Sequence, residues 1–300
     1  MRIARLVTLA MTLALLTACG PSTSKLVRFD AIYMDMDGTL LDPDAQPRES
    51  SLEAIRQFQA CGGKVGLATG RTYVQVKELL PKIGPDLPVV LYNGALTATI
   101  DGTVVYVEHV PKEAVHAALL AGTESPAVRG IIVHEEVKTY IDREDAKLRE
   151  LISHAYIFPD EVITNIANEY KGLPVKILYV THNGKTDEAA LAIAKAVGDR
   201  ARAIITSPFT VEVVATGVHK AAAIRRVLEK RELDPRNAIY FGDSGNDIEM
   251  LSTLGPGFAM GNCRPSACDA AMARIDPNNT DAIAEVIRKV VLRPACLEIQ

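Results

Sequence analysis

The chain has 300 residues, 48% of them hydrophobic and 23% charged, with a formal net charge of −4. That length allows one large domain or two ordinary ones, and that composition supports a packed core rather than global disorder. The mild acidity and the lack of a long basic run argue against a nucleic-acid partner, which needs a basic face.

Arg2 and Arg5 precede an apolar segment, 6–16, that is too short to span a bilayer comfortably. A positive start, a short apolar core and small residues behind it form a secretory-signal pattern. Leu16-Thr17-Ala18-Cys19-Gly20 resembles the lipobox of bacterial lipoproteins. That resemblance implies a signal peptide over 1–18, Cys19 as the acylated first mature residue, and a tether over 19–25. The expectation is a lipoprotein held to the membrane by its lipid alone, facing the periplasm or the cell exterior. A mis-assigned start codon would leave a cytoplasmic protein instead.

The next run, Ala31 to Met34, is apolar and too brief for a helix, so it reads as a short buried strand. It ends in Asp35 and Asp37, followed by a turn at Gly38 and by Thr39. Carboxylates at a strand's carboxyl end stand where open α/β sheets bind ligands. Two acids so close repel each other, and a hard cation such as Mg²⁺ would relieve that. One acid can act as a nucleophile and the other as an acid and base.

A helix is expected over 48–60, stopped by Gly62-Gly63, then a strand over 64–68 ending at Thr69-Gly70-Arg71. Thr69 suits either a phosphoryl hydrogen bond or a helix N-cap. A helix over 72–80 is expected to stop at Pro81. A third strand over 88–92 ends at Asn93-Gly94, and a hairpin follows over 96–107. Alternating strands and helices to this point predict a parallel sheet. The middle of the chain reads differently: a helix over 111–121, a hairpin at 130–141, a helix at 144–154, a strand at 174–180, a helix at 187–197 and strands at 203–206 and 211–214. This α+β segment carries no chemical motif, and its acids and histidines read as a solvated face.

The first pattern resumes at Lys220, which opens a helix over 221–230. A lysine there opposes the helix dipole and points to an anion nearby. A buried strand over 237–241 ends at Gly242-Asp243-Ser244-Gly245-Asn246-Asp247. A strand over 257–260 and a helix over 280–291 close the chain. Cys61, Cys263, Cys268 and Cys296 allow three full pairings. Cys263 and Cys268 would be too far apart on one helix but not in a loop, and the reading is of buried apolar thiols.

Four groups of polar residues therefore stand at strand or helix ends: Asp35/Asp37, Thr69, Lys220 and Asp243/Asp247. Phosphoryl transfer needs this inventory of nucleophile, cations and hydrogen-bond donors. Taken together, these motifs resemble the haloacid dehalogenase superfamily in its Cof-like branch of capped phosphatases. The resemblance implies a doubly wound, Rossmann-like parallel core (26–108 and 217–300) with an inserted α+β cap (109–216). It also implies Asp35 as nucleophile, Asp37 as general acid and base, and Thr69 and Lys220 as phosphoryl holders. Mg²⁺ would sit on Asp35, the Asp37 carbonyl, Asp243 and, through water, Asp247. Arg71, Asn93, Gly94 and Asn246 would face the substrate, a small phosphorylated metabolite such as a sugar phosphate or phosphorylated cofactor. A phosphomutase on the same core and a non-catalytic surface lipoprotein are the rival readings. A serine protease, prompted by Gly242-Asp243-Ser244-Gly245, lacks its triad and β-barrel context.

Overall fold

The computed structural model describes residues 29–154, 157–292 and 296; Cys19 and the lipobox pattern lie outside them. The apolar run at 31–34 is strand β1, buried at every position. The other strands are β2 (Lys64–Leu67), β3 (Val89–Leu91), β4 (Leu96–Ala98), β5 (Val104–Val107), β6 (Val128–His134), β7 (Thr139–Ile141), β8 (Glu161–Val162), β9 (Lys176–Thr181), β10 (Ala201–Ser207), β11 (Thr210–Ala215), β12 (Ala238–Gly242), β13 (Gly257–Ala259) and β14 (Ala273–Arg274).

The central sheet is parallel, in the order β14-β13-β12-β1-β2. Side chains alternate across a strand, and β1 shows the consequence. Ile32 and Met34 join a core with Leu52, Ile55 and Phe58 of the helix Glu49–Ala60. Ala31 and Tyr33 join another with Ile224, Val227 and Leu228 of the helix Lys220–Lys230. Helices on both faces of a parallel sheet make the doubly wound α/β architecture.

The second sheet runs β10-β11-β9-β6-β7-β8, antiparallel except for the β7–β8 pair. One face carries Ile131, Val133, Ile177, Tyr179, Val211 and Val213 under the helices Lys112–Glu124 and Thr186–Val197. On the other face, the helix Ala146–His154 covers Ile132, Leu178 and Val180.

Several expectations are corrected. The strand at 88–92 joins the parallel arrangement only just beyond β2, at the parallel bridge Ala68 to Val90, and its ladder partner is β4, antiparallel. The helix expected over 72–80 breaks into Tyr73–Val76 and Leu80–Ile83. Pro81 opens the second turn instead of stopping the first, because a proline at a helix start has no N–H to lose. The four cysteines among the described residues are not free thiols. Cys61 and Cys296 pair with Cα atoms 5.9 Å apart, and Cys263 and Cys268 pair at 5.6 Å. Cys263 lies in the loop before the helix Pro265–Ala270, so the separation that would forbid a bridge along one helix does not arise.

Candidate active site

Asp35 follows β1 directly, and its N–H donates to the Phe241 carbonyl of β12 at 2.9 Å. The loops after these two neighbouring strands therefore meet. Gly38, at φ +76, lets them close, since a Cβ there would lie 2.6 Å from the Asp243 carboxylate. The Thr39 hydroxyl donates to Asp243 Oδ1 at 2.9 Å. Asp247 Oδ2 accepts the N–H groups of Asp243 and Ser244, each at 3.0 Å, which folds the second loop back on itself.

Lys220 closes the cluster. Its ammonium is fully buried and donates to Asp35 Oδ1 and Asp247 Oδ1, both at 2.7 Å. The anion that a lysine at a helix start calls for is this carboxylate pair. Burial alone would push the Lys220 ammonium down, but the charges of Asp247 and Asp35 win and hold it raised. Burial holds the Asp35 carboxyl well above the usual carboxylate range; Lys220 opposes this, and Asp247 and Asp243 add to it. Burial, then Asp247, pushes Asp243 up to about 6. Asp35, Asp243 and Asp247 each offer an oxygen within 4.8 Å of the others. One ammonium against three crowded carboxylates leaves negative charge uncompensated, and hard oxygen donors in this number fit Mg²⁺.

The Asp37 side chain stands apart from that cluster. Arg71 grips it with two hydrogen bonds, Nε to Oδ2 at 2.8 Å and Nη2 to Oδ1 at 2.6 Å. Arg71, expected on the substrate side, thus lines the cleft while holding Asp37. Thr69 is fully buried at the end of the β2 segment, and its hydroxyl accepts the Arg71 N–H at 3.2 Å. Tyr92, Asn93 and Gly94 after β3 all have positive φ, a strained run of the kind that clusters at functional sites. Asn93 Oδ1 accepts from Asn246 Nδ2 at 2.8 Å, so these two expected substrate-side residues meet. Gly94 is buried against the start of the Lys220 helix, where a Cβ would lie 2.5 Å from the His219 carbonyl.

A cleft of about 480 Å³ opens above these groups, with Asp35, Asp37, Arg71, Asn93 and Asn246 on one wall. The antiparallel sheet supplies the other wall, and here the reading of a solvated face fails. Lys176 and Glu212 form an ion pair at 2.9 Å with side chains only 6% and 11% exposed. Asn93 Nδ2 donates to Glu212 Oε2 at 3.4 Å, tying the two walls together. His134 is buried beside them, its Nδ1 against the Thr139 hydroxyl and its Nε2 without a partner among the described residues. Burial, then the Lys176 charge, holds its imidazole well below its ordinary value, so it is neutral. No single strand's sequence carried a signal for this wall, because Lys176, Glu212 and His134 come from three different strands.

The haloacid dehalogenase-like hydrolase family profile matches residues 32–287. The chain is 28% identical to the 5-amino-6-(5-phospho-D-ribitylamino)uracil phosphatase of Escherichia coli K12, over 88% of this chain and 97% of that one. It is 27% identical to the HMP-PP phosphatase of Cronobacter sakazakii, over 77% and 84%. In fold it is similar to a haloacid dehalogenase-like hydrolase from Bacteroides thetaiotaomicron, with a TM-score of 0.76, 20% identity, and 87% and 99% coverage.

Proposed function

Because the chain belongs to the haloacid dehalogenase-like hydrolases, we propose that it is a Mg²⁺-dependent phosphatase of small phosphorylated metabolites that works through an aspartyl phosphate on Asp35. The observation that carries this reading is the buried Lys220, bridging Asp35 and Asp247 inside a cluster of three carboxylates. The names of the relatives support a phosphorylated metabolite of that size.

Asp35, Asp243 and Asp247, with the Asp37 carbonyl, would hold Mg²⁺, which when bound neutralises phosphoryl charge. Lys220 fixes one Asp35 oxygen and leaves the carboxylate to attack phosphorus. The Asp35–phosphorus bond forms as the phosphorus–ester oxygen bond breaks, and Asp37 gives that oxygen a proton. Water then attacks the phosphorus and returns a proton to Asp37, and the Asp35–phosphorus bond breaks. Asp37 must exchange Arg71 for the leaving oxygen, so Arg71 sets its resting position. Thr69 and Asn246 supply hydrogen bonds to phosphoryl oxygens, and Arg71 and Asn93 border the leaving group.

The protein's proposed place is an oxidising compartment, anchored through a lipid on Cys19. The lipobox-like Leu16-Thr17-Ala18-Cys19 supports the anchor. The two disulfides support the compartment, because bridges persist where thiols are not kept reduced. The test of the catalytic reading is p-nitrophenyl phosphate hydrolysis by the purified protein with Mg²⁺ and with excess EDTA. Activity that EDTA abolishes and Mg²⁺ restores supports it; undiminished activity in EDTA refutes it.

A further inference from the structure

The cleft does not end at its polar wall. It runs into a second chamber of about 250 Å³, and Ile157, Leu178, Ser207 and Thr210 line both spaces. Beyond those shared residues the chamber is almost wholly apolar, walled by Leu151, Ile152, Val180 and Phe209. The strand register explains the change. On β9, Lys176 and Leu178 line the cleft while Leu178 and Val180 line the chamber, at positions two residues apart. Lys176 is tied into the ion pair with Glu212 on the polar wall, while Leu178 and Val180 belong to the apolar cluster under the helix Ala146–His154. Each such step is about 7 Å, so Val180 stands on the order of 13 Å from Lys176. Polarity thus falls along β9 from the cleft into the chamber.

The chamber's rim is also unlike an ordinary surface. Leu151 and Phe209, which line the chamber, are 39% and 50% exposed. Large apolar side chains gathered at the mouth of a pocket mark a binding surface more often than chance exposure does. Pockets of this kind use a few polar groups to orient a ligand and apolar walls to bind it.

We propose that the leaving group is bipartite: a polar segment next to the phosphoryl group, then a ring-sized apolar group seated in the chamber between Leu151, Val180 and Phe209. This rests on the phosphatase reading and adds what the substrate carries at its far end. A simple sugar phosphate would fill the polar part of the cleft and leave the chamber empty. An apolar end removes the chamber's walls from water, a gain roughly proportional to the area covered.

The test is a ladder of alkyl phosphates whose leaving alkoxides are chemically alike: n-butyl, 2-phenylethyl, 4-phenylbutyl and 6-phenylhexyl phosphate, with acetyl phosphate beside them. The expected result is a kcat/KM for 4-phenylbutyl phosphate about tenfold or more above that for n-butyl phosphate, as a filled apolar pocket provides. Leu151→Gln and Phe209→Ser, both at partly exposed positions, should each bring that ratio down toward one. A flat ladder, with acetyl phosphate still hydrolysed, refutes the chamber's role and leaves the phosphatase reading standing. A ratio unmoved by both substitutions refutes it equally. If no phosphate ester and no acetyl phosphate is hydrolysed, the phosphatase reading itself fails and takes this inference with it.

Discussion

Replacing Lys176 with methionine tests the polar wall of the cleft. Methionine keeps an unbranched stem and removes only the charge. It leaves the Glu212 carboxylate buried, with Asn93 Nδ2 at 3.4 Å as its remaining cross-wall donor. Breaking a buried pair by removing one partner costs about 3–5 kcal/mol, because the other charge stays uncompensated. At about 2–4 °C per kcal/mol for a chain of this size class, the melting temperature should fall by about 10 °C. The double variant Lys176→Met/Glu212→Leu removes both charges and should regain most of that loss, since apolar replacement of a whole buried pair is often neutral. Differential scanning calorimetry of the wild type, both single variants and the double variant at neutral pH measures the cycle. If Lys176→Met melts within about 2 °C of wild type, or the double variant melts no higher than the single, the pair is not the buried unit described here.

Gly94→Ala should cost about 1–3 kcal/mol, because φ is +110 there and the new methyl would meet the His219 carbonyl. The displaced Lys220 helix should cut kcat more than it lowers the melting temperature, which paired kinetics and calorimetry would reveal. Because burial depresses the His134 imidazole in the folded state, the unfolded chain takes up a proton that the folded one refuses. Its share of stability is therefore present above pH 6.5 and lost as pH falls below it, and His134→Gln should flatten that part of a melting-temperature profile from pH 8 to pH 5. Cys19→Ser should leave the precursor uncleaved and unlabelled by radioactive palmitate; a wild-type protein that is also unlabelled would refute the anchor.

The carboxylate cluster was legible because its signals are local. An apolar run that stops at Asp35, or at Gly242 and Asp243, announces both a buried strand and the polar end that leaves it. The Lys220 anomaly was legible for the same reason, since a cation at a helix start needs an explanation within a few ångströms. The cap wall was not legible. Lys176, Glu212 and His134 sit on three strands, and nothing in any one strand says that its polar residue faces inward. Their meeting depends on the register of β6 with β9 and of β9 with β11. The Cys61–Cys296 bridge spans 235 residues and was hidden in the same way. The β3 segment was legible in part: it does lie parallel to the end of the β2 segment, but a short apolar run does not show that its ladder partner is the antiparallel β4. The grip of Arg71 on Asp37 crosses 34 residues between two strand ends, and the residue types alone did not assign it.

In the proposed mechanism Asp35 carries the phosphoryl group and Asp37 is needed to take it off. Asp37→Asn mixed rapidly with p-nitrophenyl phosphate and Mg²⁺ tests both halves at once, because nitrophenolate leaves without needing a proton. The expected result is a burst of nitrophenol of about one equivalent per site, slow phosphate release afterwards, and a phosphoryl group on the peptide bearing Asp35 in the quenched protein. The variant Asp35→Asn should show neither burst nor turnover. Steady hydrolysis by Asp37→Asn at the wild-type rate, with no phosphorylated peptide, would contradict it.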